Sequence, residues 1–144
     1  MHCHKILNNV IIKSYELNRK KENFSKYNLF LLYGENVGLK KDISDIIKSG
    51  VTKNNEKVEY LSLYEKDLIT DEESFYNSIY SGSLFSKKKI ITINEATDKL
   101  TNQFENIVSK YPENVFLIIL ANLLEKKSKL RNFFEKNKKT LCIA

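Results

Sequence analysis

Cysteine occurs twice in 144 residues, at Cys3 and Cys142, too few for a disulfide scaffold and consistent with a reducing cytoplasm. Tryptophan is absent, proline occurs only at Pro112, and glycine only at Gly34, Gly38, Gly50 and Gly82, so no Pro/Gly-rich linker divides the chain. The longest apolar run, Val115–Ala121, is seven residues. A membrane helix needs about 20, so no membrane partner is expected. Histidine is confined to His2 and His4. Those two with Cys3 are the sole metal-ligand cluster, and alternate residues of an extended chain face opposite ways; residues 1–9 are read as a disordered terminus with no metal. With no internal histidine, nucleophile–base catalysis has no partner for Cys142. The N-terminus also lacks the apolar core of a signal peptide.

What is present describes one globular domain. The hydrophobic fraction is 42% and the charged fraction 29%, a balance that buries about two-thirds of the unfolded surface at this length. The net charge of +6 fits a weak polyanion affinity. Lys, Asn and Ile supply 22, 16 and 15 residues, whereas Arg occurs only at Arg19 and Arg131. All three common types have A/T-rich codons, so genome composition accounts for many lysines, and the bidentate fork favoured for phosphate and base recognition is scarce.

Strand-like and helix-like patterns alternate. Leu29–Tyr33 is a continuous apolar run, as a strand buried on both faces requires. Leu39, Ile43, Ile46 and Ile47 recur at helical spacing, with Gly50 as the expected stop. Val58 to Leu63 reads as a strand, and Asp71 as the cap of a helix carrying Phe75 and Ile79. Lys89 to Asn94 reads as a third strand. Leu100, Phe104, Ile107 and Val108 mark one helix face, closed before Pro112. Val115 to Leu120 is a strand, Leu130, Phe133 and Phe134 are expected to face inward on a Lys-rich helix, and Thr140 to Ile143 begins another strand. Residues 10–24 are expected to add a short strand and a helix at one edge. Such alternation predicts an α/β fold: a largely parallel sheet with helices on both faces, Rossmann-like. Because the chain stops within a strand pattern, it is expected to be one domain of a longer polypeptide.

Two segments could carry function. Gly34-Glu35-Asn36-Val37-Gly38-Leu39-Lys40-Lys41 lies between the first long strand and its helix, where a nucleotide-binding fold keeps its phosphate loop. The phosphate-cradling pattern is G-x-x-x-x-G-K-[ST]. Here Gly34 and Gly38 are one residue too close, Lys40 is displaced, and Lys41 stands where a hydroxyl would ligate Mg²⁺. Asn94-Glu95 is a poor substitute for the acidic metal-binding pair. The loop is therefore expected to be degenerate, with no cofactor. In Ser81-Gly82-Ser83-Leu84-Phe85-Ser86-Lys87-Lys88-Lys89, two large apolar residues stand between serines and a lysine run. The polar flanks suit a surface turn, on which Leu84 and Phe85 would plug an apolar pocket of a partner.

Three segments, in order and spacing, carry a resemblance: Leu32 to Leu39; Ser83 to Ile91; and Leu124-Glu125-Lys126-Lys127-Ser128-Lys129-Leu130-Arg131-Asn132-Phe133-Phe134-Glu135-Lys136. Over about residues 10–144 the chain resembles the N-terminal domain of the delta subunit of bacterial DNA polymerase III, a clamp-loader component, and the combination is similar to that of alphaproteobacterial members. The family's helical lid and collar domains have no counterpart in the sequence. The resemblance implies an AAA+-like P-loop NTPase fold that has lost nucleotide binding. It also implies a non-catalytic accessory subunit of the polymerase holoenzyme that binds the ring-shaped sliding clamp and opens it for loading on DNA. It places the clamp-binding residues at Ser83, Leu84 and Phe85. The implied partners are the clamp (beta subunit) and the gamma/tau and delta-prime subunits, with DNA reached through the complex and a cytoplasmic location. Two alternatives stand beside it: a nucleotide-dependent enzyme of the phosphate-loop class and a stand-alone basic nucleic-acid-binding domain.

Overall fold

The computed structural model describes residues 10–12, 27–52, 57–80, 88–108, 111–112, 114–136 and 140–143, the first and last of these as backbone only. In chain order the elements are β1 (Val10–Ile12), β2 (Leu29–Tyr33), α1 (Val37–Val51), β3 (Val58–Tyr64), α2 (Glu65–Thr70), α3 (Glu72–Tyr80) and β4 (Lys88–Ala96). A 3₁₀ turn (Asp98–Leu100) follows, then α4 (Thr101–Val108), β5 (Val115–Ala121), α5 (Lys129–Lys136) and β6 (Thr140–Ile143).

Six strands form one sheet in the order β1-β6-β2-β5-β4-β3, and every pairing is parallel. From central β2 the chain crosses to β3 at one edge, returns through β4 and β5, and passes β2 to reach β6. Right-handed crossovers place helices on opposite faces when the direction of travel reverses. The two cores follow this rule. On one face Phe30, Leu32, Ile90, Phe116 and Ile118 pack against Ile43, Ile47 and Val51 of α1. On the other, Leu29, Leu31, Ile91, Ile93, Leu117 and Ile119 pack against Leu68, Phe75, Ile79, Phe104, Ile107, Leu130 and Phe134 of α2 to α5. Strands β2 and β5 are apolar without alternation because both of their faces are covered.

Local chemistry sets the helix ends. Asn36 caps α1 by accepting from the Leu39 amide at 2.9 Å, and Asp71 caps α3 by accepting from the Ser74 amide at 3.1 Å. Ser128 caps α5 by accepting from the Arg131 amide at 3.2 Å, and its hydroxyl donates to Asp98. Partial burial pushes the Asp98 carboxyl up, but the bonds from Ser128 and from the Leu130 and Lys129 amides, with the Lys129 charge, hold it below the ordinary value.

The strands and the main helices lie where the residue patterns put them, with three differences. α1 does not stop at Gly50; it continues to Val51, whose side chain is buried in the core, and ends where the Thr52 amide and hydroxyl both bond the Lys48 carbonyl. α2 was not foreseen, since its six residues bury only Glu65 and Leu68 and show no apolar period. Phe133 is half-buried against the core that encloses Leu130 and Phe134. The strand expected near the N-terminus is β1, whereas the helix expected after it and residues 1–9, with His2, Cys3 and His4, lie outside the described residues.

Candidate functional site

In an open parallel sheet the ligand crevice lies beyond the carboxyl ends of the strands, where neighbouring strands leave in opposite directions. Here that place is the end of β2, between β5 and β6, and the loop leaving it is Gly34 to Asn36. Gly34 has φ +139° and its amide bonds the Asn122 carbonyl at 3.3 Å. A Cβ there would meet nothing within 4 Å, so glycine is required by the backbone conformation and not by crowding. Gly38 lies in the first turn of α1, and a Cβ on it would touch only the Asn36 Oδ1 at 3.6 Å, an ordinary contact. Gly34→Ala is therefore expected to lower stability by about 1–2 kcal/mol, while Gly38→Ala is neutral or gains up to about 1 kcal/mol; chemical denaturation of both variants checks this.

Three donors at the start of α1 are engaged within the protein. The Leu39 amide bonds the Asn36 side chain, and the Lys40 amide bonds the Asn36 carbonyl at 3.1 Å. The Lys40 ammonium turns onto the carbonyl of Ala121, the last residue of β5, at 2.9 Å. Burial holds its pKa below the usual lysine value. Lys41 is exposed on α1. These residues open onto a groove of about 470 Å³ lined also by Ser44, Asp45, Lys48, Tyr64, Thr92 and Asn94. Asn94 is held by β3, its amide donating to the Ser62 hydroxyl and the Leu63 carbonyl, both at 3.0 Å. Glu95 follows with φ 56°, at the irregularity between Ile93 and Ala96 in the β4–β5 ladder. Its left-handed backbone and exposed side chain set it apart from a strand-end metal carboxylate. Lys40, Lys41 and Lys48 share the groove lining with two carboxylates, Asp45 of the same helix and Glu95, a mixed field with little net attraction for polyphosphate. Among the described residues no three His, Cys, Asp or Glu side chains group as a metal centre would.

Ser83, Leu84 and Phe85 lie outside the described residues, but both ends of their segment are described. Before it, α3 buries Phe75 and Ile79 and runs to Tyr80. After it, β4 begins at Lys88. Here one expectation is corrected. The sequence suggests a polar flank for the lysine run, yet Lys89 is only 6% exposed and Lys88 is half-buried. Adjacent strand residues point to opposite faces, and each lysine meets a helix end. The Lys88 ammonium bonds the Val51 carbonyl of α1 at 2.7 Å, 5.9 Å over the Phe116 ring. The Lys89 ammonium bonds the Ser78 carbonyl of α3 at 2.8 Å, with Glu59 at 3.8 Å. The strand period of two would have separated these lysines by face; nothing in the sequence names the carbonyls that receive them.

Arg131, also read only as part of a charged helix, is buried. Its guanidinium stacks 5.4 Å over the Tyr33 ring, and its Nε donates to Glu135 at 2.8 Å. It thereby braces α5 against the end of β2.

The family model for the DNA polymerase III delta subunit matches residues 30–143. The chain belongs to that family. Among solved structures it is similar to the Bacillus subtilis DNA clamp loader delta protein (YqeN), with TM-score 0.60 and 13% identity over 91% of this chain and 42% of that one. It is also similar to a DNA polymerase III gamma subunit-related protein from Thermotoga maritima, with TM-score 0.51 and 17% identity over 90% of this chain and 45% of that one. The chain thus spans less than half the length of each. No curated protein matches the sequence. At these identities the structures establish the fold alone, a mixed α/β, AAA+-like architecture with a parallel sheet. No helix among the described residues is long and apolar enough to cross a membrane.

Proposed function

We propose that this domain is the clamp-binding part of a clamp-loader delta subunit, without nucleotide chemistry of its own. It would engage the sliding clamp through Ser83, Leu84 and Phe85 and favour the opened ring. It would work beside the gamma/tau and delta-prime subunits, through which DNA is reached. The observation that carries the nucleotide-free part is the Lys40 ammonium on the Ala121 carbonyl. A phosphate would have to displace a bond that also satisfies the end of β5, beside a helix start at which Asn36 accepts from the Leu39 and Lys40 amides. Family membership over residues 30–143 supports the clamp-loader part.

Opening a ring requires differential affinity, because a ligand shifts a closed–open equilibrium only by the ratio of its affinities for the two states. Burial of Leu84 and Phe85 would contribute roughly 1.5–3 kcal/mol each. That anchors the complex; surfaces fitting only the deformed ring would do the opening.

The nucleotide-enzyme alternative is separated by thermal melting with millimolar ATP and Mg²⁺. The melting temperature is expected to stay within 1 °C of the ligand-free value, roughly the resolution of such a scan. Ligand at about a hundredfold its Kd would add about 2.7 kcal/mol of stability, and a clear rise would favour the enzyme.

A further inference from the structure

We propose that the outward face of β3 is a contact site for single-stranded DNA, with bases stacked on Tyr60 and Tyr64 and phosphates met by Lys48 and Lys41. β3 is an edge strand. One of its faces carries Leu61 and Leu63 against the core beneath α2 to α5. On the α1 side Val58 packs against the other core, whereas Tyr60 and Tyr64 are 56% and 45% exposed. Alternate residues of a strand share a face, so Tyr60, Ser62 and Tyr64 form one row with the two rings about 13 Å apart along it. α1 runs beside this row. Its Lys41 and Lys48 are two turns apart, about 10 Å, so the cations keep pace with the rings. The Lys48 ammonium lies 6.0 Å from the centre of the Tyr60 ring, and both lysines line the groove of about 470 Å³ that Tyr64 also lines.

The chemistry of the face selects its occupant. Between the rings it is polar: the Ser62 hydroxyl accepts from the Asn94 amide at 3.0 Å, and Thr92 and Asn94 line the groove behind it. The centre of a protein–protein patch is depleted in charge and apolar, which this face is not. Bases stack on tyrosine whatever their sequence, with lysines tracking the backbone. Asp45 and Glu95 offset most of the lysine charge in the groove, so a compact polyphosphate gains little there. A single strand spreads its charge and brings ring faces that the tyrosines can cover, whereas a duplex keeps its bases paired and stacked on one another. DNA is the strand chosen because the chain belongs to a family of DNA polymerase III subunits. The site uses no residue of the segment 81–87 and stands apart from the clamp-binding reading; it adds a direct contact to the DNA otherwise reached through other subunits.

The test titrates the full chain into a fluorescein-labelled oligothymidylate of about twelve nucleotides, read by anisotropy, a length within the site size of single-strand binders. The parent is expected to bind saturably, with log K falling against log salt at a slope of about −1.4, from two lysines at about −0.7 each. Tyr60→Ala/Tyr64→Ala should weaken binding at least about tenfold at an unchanged melting temperature, and Tyr60→Phe/Tyr64→Phe, which keeps both rings, should stay within about threefold of the parent. Lys48→Gln should make the slope shallower by about 0.7. Lys127→Gln, which removes an exposed lysine from the loop after β5, should change neither affinity nor slope. The matching duplex should bind at least about tenfold more weakly, and oligouridylate no more tightly than oligothymidylate. If the double alanine variant does not fold, Tyr60→Ala and Tyr64→Ala, each expected to cost about threefold, carry the same test. Parental affinity in the alanine variants, equal loss in Lys127→Gln, a slope steeper than about −3, or preference for the duplex or for oligouridylate would overturn the proposal. So would a folded parent that does not bind the oligonucleotide, and self-association that the alanine variants abolish would then assign the face to a second copy of the chain.

Discussion

Replacing both Leu84 and Phe85 by alanine is expected to weaken binding to the sliding clamp by about 3 kcal/mol or more, roughly a hundredfold in Kd, with the melting temperature nearly unchanged. The helix before the segment already has its inward face in Phe75 and Ile79, both about 1% exposed. It therefore has no need of Leu84 and Phe85 to complete its packing. The serines on either side of the pair suit a surface turn, and two large apolar side chains displayed on a monomer's surface mark a partner's site. Burial in the domain predicts the reverse result: about 2–5 kcal/mol of stability lost per residue. Melting curves and clamp titrations of the same double variant separate the two cases. A variant that unfolds, or one that folds and binds like the parent, would remove the assignment.

Phe104→Ala is expected to have the opposite signature. Phe104 is fully buried, and its ring meets Phe75 of α3 edge-on at 6.4 Å and Phe134 of α5 at 5.8 Å. Phe133 continues the chain of rings, 5.6 Å from Phe134. One side chain thus joins the three longer helices of this face. Truncation removes its burial, both edge-to-face contacts and the packing around the hole, together about 3–5 kcal/mol. For a domain of this size that lowers the melting temperature by roughly 10 °C. Because α3 leads into the segment 81–87, clamp binding by the folded fraction should weaken less than in the Leu84/Phe85 double variant. A loss below about 1 kcal/mol by chemical denaturation would contradict this account of the core.

The parts of the fold that were legible in the sequence are those with dense apolar patterns. Leu29–Tyr33 and Val115–Ala121 read as strands because sheets covered on both faces need no polar alternation, and both are central in the structure. Ile43 and Ile47 read as a helix face, and they fill the core between α1 and the sheet. α2 was not legible because its place depends on distant contacts. Glu65 is buried where it accepts the Thr97 amide and hydroxyl, both at 2.7 Å, a pairing across 32 residues that leaves no local pattern. Strand order was likewise hidden: the alternation of strands and helices implies parallel pairing but does not say that β6 lies beside β2.

The candidate sites divide in the same way. The departures of the phosphate loop from the cradling pattern, its glycine spacing and Lys41 in place of a hydroxyl, are legible because motif chemistry is local, and they motivate the proposal that the loop binds no nucleotide. What Lys40 does instead was illegible, since its acceptor is 81 residues away. The lysines after Phe85 were misread for the same reason. A charge run resembles a solvated surface until the helix ends that receive Lys88 and Lys89 are placed around it. The buried Arg131 on Tyr33 is a third case: a guanidinium within a Lys-rich helix carries no sign of the ring it covers.

Calorimetric titration of the cognate sliding clamp into the purified chain, run with and without ATP and Mg²⁺, tests the central claim most directly. The account predicts saturable binding with the same Kd in both buffers, lost in the Leu84→Ala/Phe85→Ala variant. Absence of clamp binding by the folded chain, or binding that appears only with nucleotide, would contradict it.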